Sequence, residues 1–111
     1  MYDPVAICWL IAAGIIEPIW VIALTKSDSF RVKSWATVAA VGIMLSPVVM
    51  SMSLRDIPVG VAYAMWTGMG SIFTVCASAI LFKDRITPRM AFYISLIIVG
   101  AIAISLAGDP A

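Results

Sequence analysis

Histidine is absent from this chain of 111 residues, and glutamate occurs once, as Glu17. With no imidazole, and with the two cysteines Cys8 and Cys76 each alone in an apolar run, nothing stands at zinc, haem or iron–sulfur spacing, so no metal and no cofactor is expected. Charge is scarce too. Charged side chains make up 12% of the chain and the net charge is +1, with no basic stretch interleaved with aromatics, which argues against a nucleic-acid partner. One acid without a second titratable group in its span gives no acid/base pair, so an enzyme is not expected either.

What fills the chain instead is apolar. Hydrophobic residues reach 63% and the mean hydropathy is +1.09, gathered in long runs, as in an all-α integral membrane protein with the lipid bilayer as its surroundings. A single domain over 1–111 is expected, with spans at 5–25, 35–54, 59–82 and 88–106. Asp3 and Pro4 supply an N-cap and a first-turn proline for the first span, Ser34 is the expected cap of the second, and Thr87 with Pro88 opens the fourth. The first run is too long for a signal-peptide core and lacks a basic leader, so it reads as a retained span. Arg55 to Pro58 is so short a link that the second and third spans are expected to be antiparallel neighbours.

Glu17 is the residue that does not belong in lipid. Val5 to Thr25 carries no other charge and extends about 31 Å as a helix at about 1.5 Å per residue, against a bilayer core of about 30 Å. An ionised acid at that depth costs about 2.5–3.5 kcal/mol on insertion scales, so such groups face a cavity, a partner or an ion path. Pro18 removes the helical partner of the Gly14 carbonyl, and a bend is expected there. By three-and-four spacing Ala13, Gly14, Glu17, Trp20, Val21 and Leu24 are assigned to one face: a small notch, an acid and an aromatic wall, the lining of a cation pocket. Pro47 disturbs the second span beside Ser46 in the same way.

The third span carries Gly60, Ala64 and Gly68 at steps of four, a stripe that lets helices approach closely in lipid, and Tyr63 and Trp66 one turn apart. Trp66 lies about 12 Å into the span at about 1.5 Å per residue, too deep for an interfacial aromatic, and is expected at a pocket with Tyr63. Gly100, Ala101 and Ser105 on the fourth span are expected to pack helices.

Over nearly its whole length the chain resembles the small multidrug resistance family of proton-coupled exporters. The residues that carry the resemblance are Gly14 and Glu17 in the first span and Pro58, Gly60, Tyr63, Trp66 and Gly68 in the third. Trp20 and Ser46 resemble the guanidinium-exporter subtype, whereas Pro18, Ala103 and Ser105 depart from the usual pattern. The resemblance implies an antiparallel dimer in which each subunit gives one Glu to a shared site. Glu17 would bind a proton or a small organic cation, Trp20 and Ser46 would orient and hydrogen-bond it, Tyr63 and Trp66 would wall the site, and the fourth helix would hold the dimer. Two other readings remain: export of quaternary ammonium or polyaromatic cations, and a structural or regulatory membrane subunit that transports nothing.

Charge asymmetry adds an expectation about orientation. Lys26, Arg31, Lys33, Lys83, Arg85 and Arg89 lie on the side of loops one and three, and Arg55 alone on the other. Under the positive-inside rule these two loops face the cytoplasm and both termini face out. A chain biased this way is expected in the cell's inner membrane with an oppositely oriented homologue, as a heterodimer rather than a homodimer.

Overall fold

The first and last helices begin where a side chain meets their first free donors. Asp3 Oδ1 accepts from the Val5 amide at 3.1 Å with Pro4 in the first turn, and Thr87 Oγ1 accepts from the Met90 amide at 3.2 Å. The computed structural model describes residues 2–108 and contains α1 (Pro4–Lys26), α2 (Lys33–Ser51), a 3₁₀ turn (Met52–Arg55), α3 (Val59–Leu81) and α4 (Pro88–Ala107), with no strand among the described residues. Counting the 3₁₀ turn with α2, all four helices are long and apolar enough to cross a membrane. The molecule is a multi-pass, all-α membrane protein. Both α1 and α2 run unbroken through their internal prolines, Pro18 and Pro47.

Ser34 does not cap α2. The helix starts at Lys33, because the Val32 carbonyl already accepts from the Ala36 amide at 2.9 Å, and Ser34 falls inside the first turn. Before it, Asp28, Ser29 and Phe30 take positive φ values of 49°, 57° and 69°. That conformation costs a non-glycine residue about 1–2 kcal/mol. Buried Ser27 holds the turn: its hydroxyl donates to the Leu24 carbonyl at 2.7 Å and accepts from the Phe30 amide at 3.2 Å, while its own carbonyl accepts from the Val32 amide at 2.9 Å.

The helix order in space differs from the expected one. α1 lies between α2 and α3, which pack on either side of it and scarcely approach each other. The cause is the corner after α2. The 3₁₀ turn lengthens the link, Asp56 and Ile57 both donate their amides to the Ser53 carbonyl, and Ile57 is buried in a cluster with Tyr2, Ala6, Leu10, Val61 and Ala62. A second strap joins the same end, the Asp3 amide donating to Asp56 Oδ2 at 2.6 Å. The helices therefore meet at this corner and diverge from it around α1.

The result is a slab of 50 × 34 × 17 Å. α4 packs against α3, where Gly68 admits Ile97 and Ala101, and Tyr2 Oη donates to the Ser105 carbonyl at 3.2 Å. Gly60 and Gly100 do not pack helices within the chain: a methyl at either would meet nothing within 4 Å. The stripe at steps of four is used at Gly68, because α4 reaches α3 there, whereas Gly60 points to open space.

Gly42 is the glycine that α2 requires, since a Cβ there would lie 2.5 Å from Trp20 Cβ. Gly42→Ala is expected to lower stability by about 1–3 kcal/mol through overpacking. Gly60→Ala should stay within about 0.5 kcal/mol of wild type. Thermal unfolding of both variants in one detergent measures the contrast, and equal melting points would contradict the α1–α2 packing described.

Candidate functional site

Along α1 each residue turns the side chain by about 100°, so a step of three leaves neighbours about 60° apart. Gly14, Glu17 and Trp20 therefore fan across about 120° and cannot all face one pocket. Gly14 points at α3, where a methyl would lie 3.2 Å from Met69 Cβ and 3.4 Å from Phe73 Cε2. Trp20 points at α2, over Gly42. Glu17 lies between them, with α2 on one side and α3 on the other.

On the α3 side Glu17 rests on Gly70, whose added Cβ would come 2.6 Å from Glu17 Cγ and 2.9 Å from its Cβ. Only a residue without a side chain leaves that room. On the α2 side Ser46 Oγ lies 2.9 Å from Glu17 Oε1 and 3.0 Å from the Ala13 carbonyl, and accepts from Trp66 Nε1 at 3.0 Å. The hydroxyl thus has one donor, the Trp66 indole, and two acceptors, the Ala13 carbonyl and Glu17 Oε1, within reach of its single proton. The serine is fully buried, so it positions the carboxylate from behind and does not reach the cavity in front.

That cavity has a volume of about 480 Å³ and lies in the opening between α2 and α3, with α1 at its base. Glu17, Trp20 and Val21 come from α1, and Ile43 and Pro47 from α2. α3 contributes Tyr63, Trp66, Thr67, Gly70, Ser71 and Thr74. Tyr63 and Trp66 form a tilted aromatic pair with centroids 5.6 Å apart. No basic side chain lines the cavity, and among the described residues Glu17 has no ion-pair partner. Its Oε1 is held by Ser46, while Oε2 has no hydrogen bond among the described residues. A carboxylate with one oxygen fixed and the other offered to an aromatic-walled cavity can take a proton or a planar cation.

Of the residues expected at the site, Glu17, Trp20, Tyr63 and Trp66 line the cavity, Ser46 stands behind it, and Gly14 belongs to the α1–α3 contact. Trp20 contributes a wall and makes no hydrogen bond to Glu17. Gly70, Ser71 and Thr74 line the cavity without having been expected at the site. The signal for them is a three-and-four progression from Tyr63 through Trp66, Thr67 and Gly70 to Thr74. Ser71 and Thr74 spend their protons on their own helix, donating to the Thr67 and Gly70 carbonyls at 2.8 and 2.7 Å, and so present oxygen lone pairs.

The sequence profile of the Small Multidrug Resistance protein family matches residues 5–97. The chain belongs to that family. Among curated relatives, this member of the small multidrug resistance family is similar over 97 residues to the guanidinium exporter of Citrobacter freundii, at 29% identity, and to that of Escherichia coli strain K12, at 26%. The guanidinium exporter of Salmonella typhimurium strain LT2 is 27% identical over the same length. In each case 87% of this chain and 92% of the relative are covered.

The contact between Gly70 and Glu17 predicts a coupled pair. Gly70→Ala is expected to cost about 1–3 kcal/mol by crowding Glu17. The cost should be smaller in the Glu17→Ala background, because the Cγ and Cδ atoms that meet the new methyl are gone. A double-mutant cycle on thermal unfolding measures the coupling, and strict additivity would contradict the contact.

Proposed function

We propose that this chain is a subunit of a proton-coupled antiporter that exports small cations of the guanidinium type, with Glu17 as the group for which proton and cation compete. The observation that carries the reading is the single intramembrane carboxylate, fixed at Oε1 and offering Oε2 to a cavity with no counter-ion of its own. A guanidinium is planar and presents two parallel N–H groups, the pattern a carboxylate accepts, and charge-assisted bonds of this kind are about twice as strong as neutral ones. Tyr63, Trp66 and Trp20 offer aromatic faces, each worth about 0.5–2 kcal/mol to a cation. The names of the relatives support the same substrate class.

Exchange follows from competition. A cation bound at Glu17 and a proton bound there exclude each other, so an assembly that turns the site from one face of the membrane to the other carries one in each direction. The cavity opens between α2 and α3 with α1 at its base, and an oppositely oriented second subunit would supply the missing wall. The charge bias of the loops favours a separate homologue in that role, with loops one and three of this chain cytoplasmic and its termini outside, in the inner membrane.

In proteoliposomes containing the active assembly, Glu17→Gln is expected to abolish guanidinium uptake driven by a proton gradient. Uptake equal to wild type, with coupling intact, would overturn the reading. For the assembly, a label at the C-terminus should react from the outer face alone, and this chain expressed without a homologue should transport little. Equal labelling from both faces, or full transport by the chain alone, would remove the heterodimer.

A further inference from the structure

Ser46 Oγ lies at hydrogen-bond distance from two acceptors at once, the Ala13 carbonyl at 3.0 Å and Glu17 Oε1 at 2.9 Å, but it owns one proton. The third contact, from Trp66 Nε1 at 3.0 Å, is a donor and occupies one lone pair. The serine is fully buried, so water does not supply the missing partner. The two acceptors compete for one proton, and what decides between them is whether Glu17 carries a proton of its own.

We propose that Ser46 reverses its hydrogen bond to Glu17 with each protonation cycle, donating to the carboxylate when Glu17 is charged and, when Glu17 is protonated, accepting from it while donating to the Ala13 carbonyl. In the charged state the hydroxyl points at Oε1 and Trp66 fills one lone pair. When Glu17 takes a proton on Oε2 from the aqueous path through the cavity, a half-turn of the carboxyl about the Cγ–Cδ bond brings that O–H to the second lone pair of Ser46, and the serine proton rotates about the Cβ–Oγ bond to Ala13. Ser46 keeps its own proton throughout, so none is created or lost. Both states leave every polar atom of the Ser46 cluster paired, which a side chain that only donates or only accepts cannot do in a dry site. An alanine at this position would leave the Trp66 indole and the carboxyl without their shared partner. The inference deepens the reading of Glu17 as the exchange carboxylate and rests on it.

Few other groups compete for the same signal. On α3, Tyr63 lines the cavity and Cys76 lies further along, exposed. On α1 the remaining titratable side chains are Cys8, exposed, and Lys26 in the last turn, while α2 carries only Lys33, in its first turn. The Ala13 carbonyl is therefore a reporter of Glu17 through Ser46.

The experiment uses the full chain in lipid bilayers, with the Ala13 carbonyl and the Glu17 carboxyl labelled with carbon-13 and followed by solid-state NMR across pH. The Ala13 carbonyl signal is expected to move between two positions with the same midpoint as the Glu17 carboxyl. It should do so again in Ser46→Thr, which retains a hydroxyl, and stay still in Ser46→Ala and in Glu17→Gln, where position 17 no longer titrates. An Ala13 signal that stays still in wild type while Glu17 titrates would overturn the reversal, as would unchanged movement in Ser46→Ala. Should Ser46→Ala fail to fold, wild type and Glu17→Gln still decide. Failure of the parent reading is separate: it would show as transport that survives Glu17→Gln, whatever Ala13 does.

Discussion

Because α2 and α3 scarcely approach each other, the side-chain hydrogen bonds that join the three helices around the cavity converge on one atom among the described residues, Ser46 Oγ. Much of the local geometry follows from the need to keep that oxygen dry and fully partnered. The helices must come together closely enough to exclude water on the α2 side, which Gly42 permits under Trp20. They must also leave Glu17 room on the α3 side, which Gly70 provides. Glycine appears at both places because a carboxylate and an indole on adjoining faces of α1 take up the space that other side chains would occupy.

The elements of the fold were largely legible in the sequence because they follow from local rules. Apolar length defines a span, and Asp3, Pro4, Thr87 and Pro88 mark where donors are satisfied or absent. The arrangement was less legible. Loop length suggested α2 beside α3, but Ile57 and the Ser53 carbonyl turn the chain through a buried corner, and no sequence period records where a corner sends the next helix. The glycines show the same limit. A stripe at steps of four pointed to Gly60, Ala64 and Gly68, and Gly100 was expected to pack as well, whereas close approaches between helices fall at Gly14, Gly42, Gly68 and Gly70, since what a glycine must admit depends on the side chain that arrives opposite it. Gly14 was assigned to the pocket by the face it shares with Glu17 and Trp20, but it lies three residues before Glu17 and Trp20 three after, so the two flank the carboxylate on opposite sides and meet different helices.

A slab this thin has little interior, and that bears on how its polar groups are treated. Tyr63 is 52% exposed on the cavity side, and α4 shows most of its large apolar side chains outward. Lipid can cover the apolar ones, but it offers nothing to Glu17 Oε2, Thr67 or the lone pairs of Ser71 and Thr74. Polar groups facing out from a membrane slab have to be met by water, by a ligand or by protein. The cavity side and the α4 side therefore ask for different coverings, although both are exposed in the single chain.

The tight turn at Asp28 to Phe30 has a consequence for how the gene can change. Ser27 ties the end of α1 to the start of α2 through short bonds on both sides of the turn, and from there α2 runs without interruption to Ser46. One residue inserted within that run would swing the hydroxyl by about 100° and carry it about 1.5 Å along the axis, away from Glu17. Most side chains between Trp35 and Leu45 face outward and can be exchanged for others of similar polarity without reaching the site. That part of α2 acts as a ruler: it tolerates many spellings, but only one length.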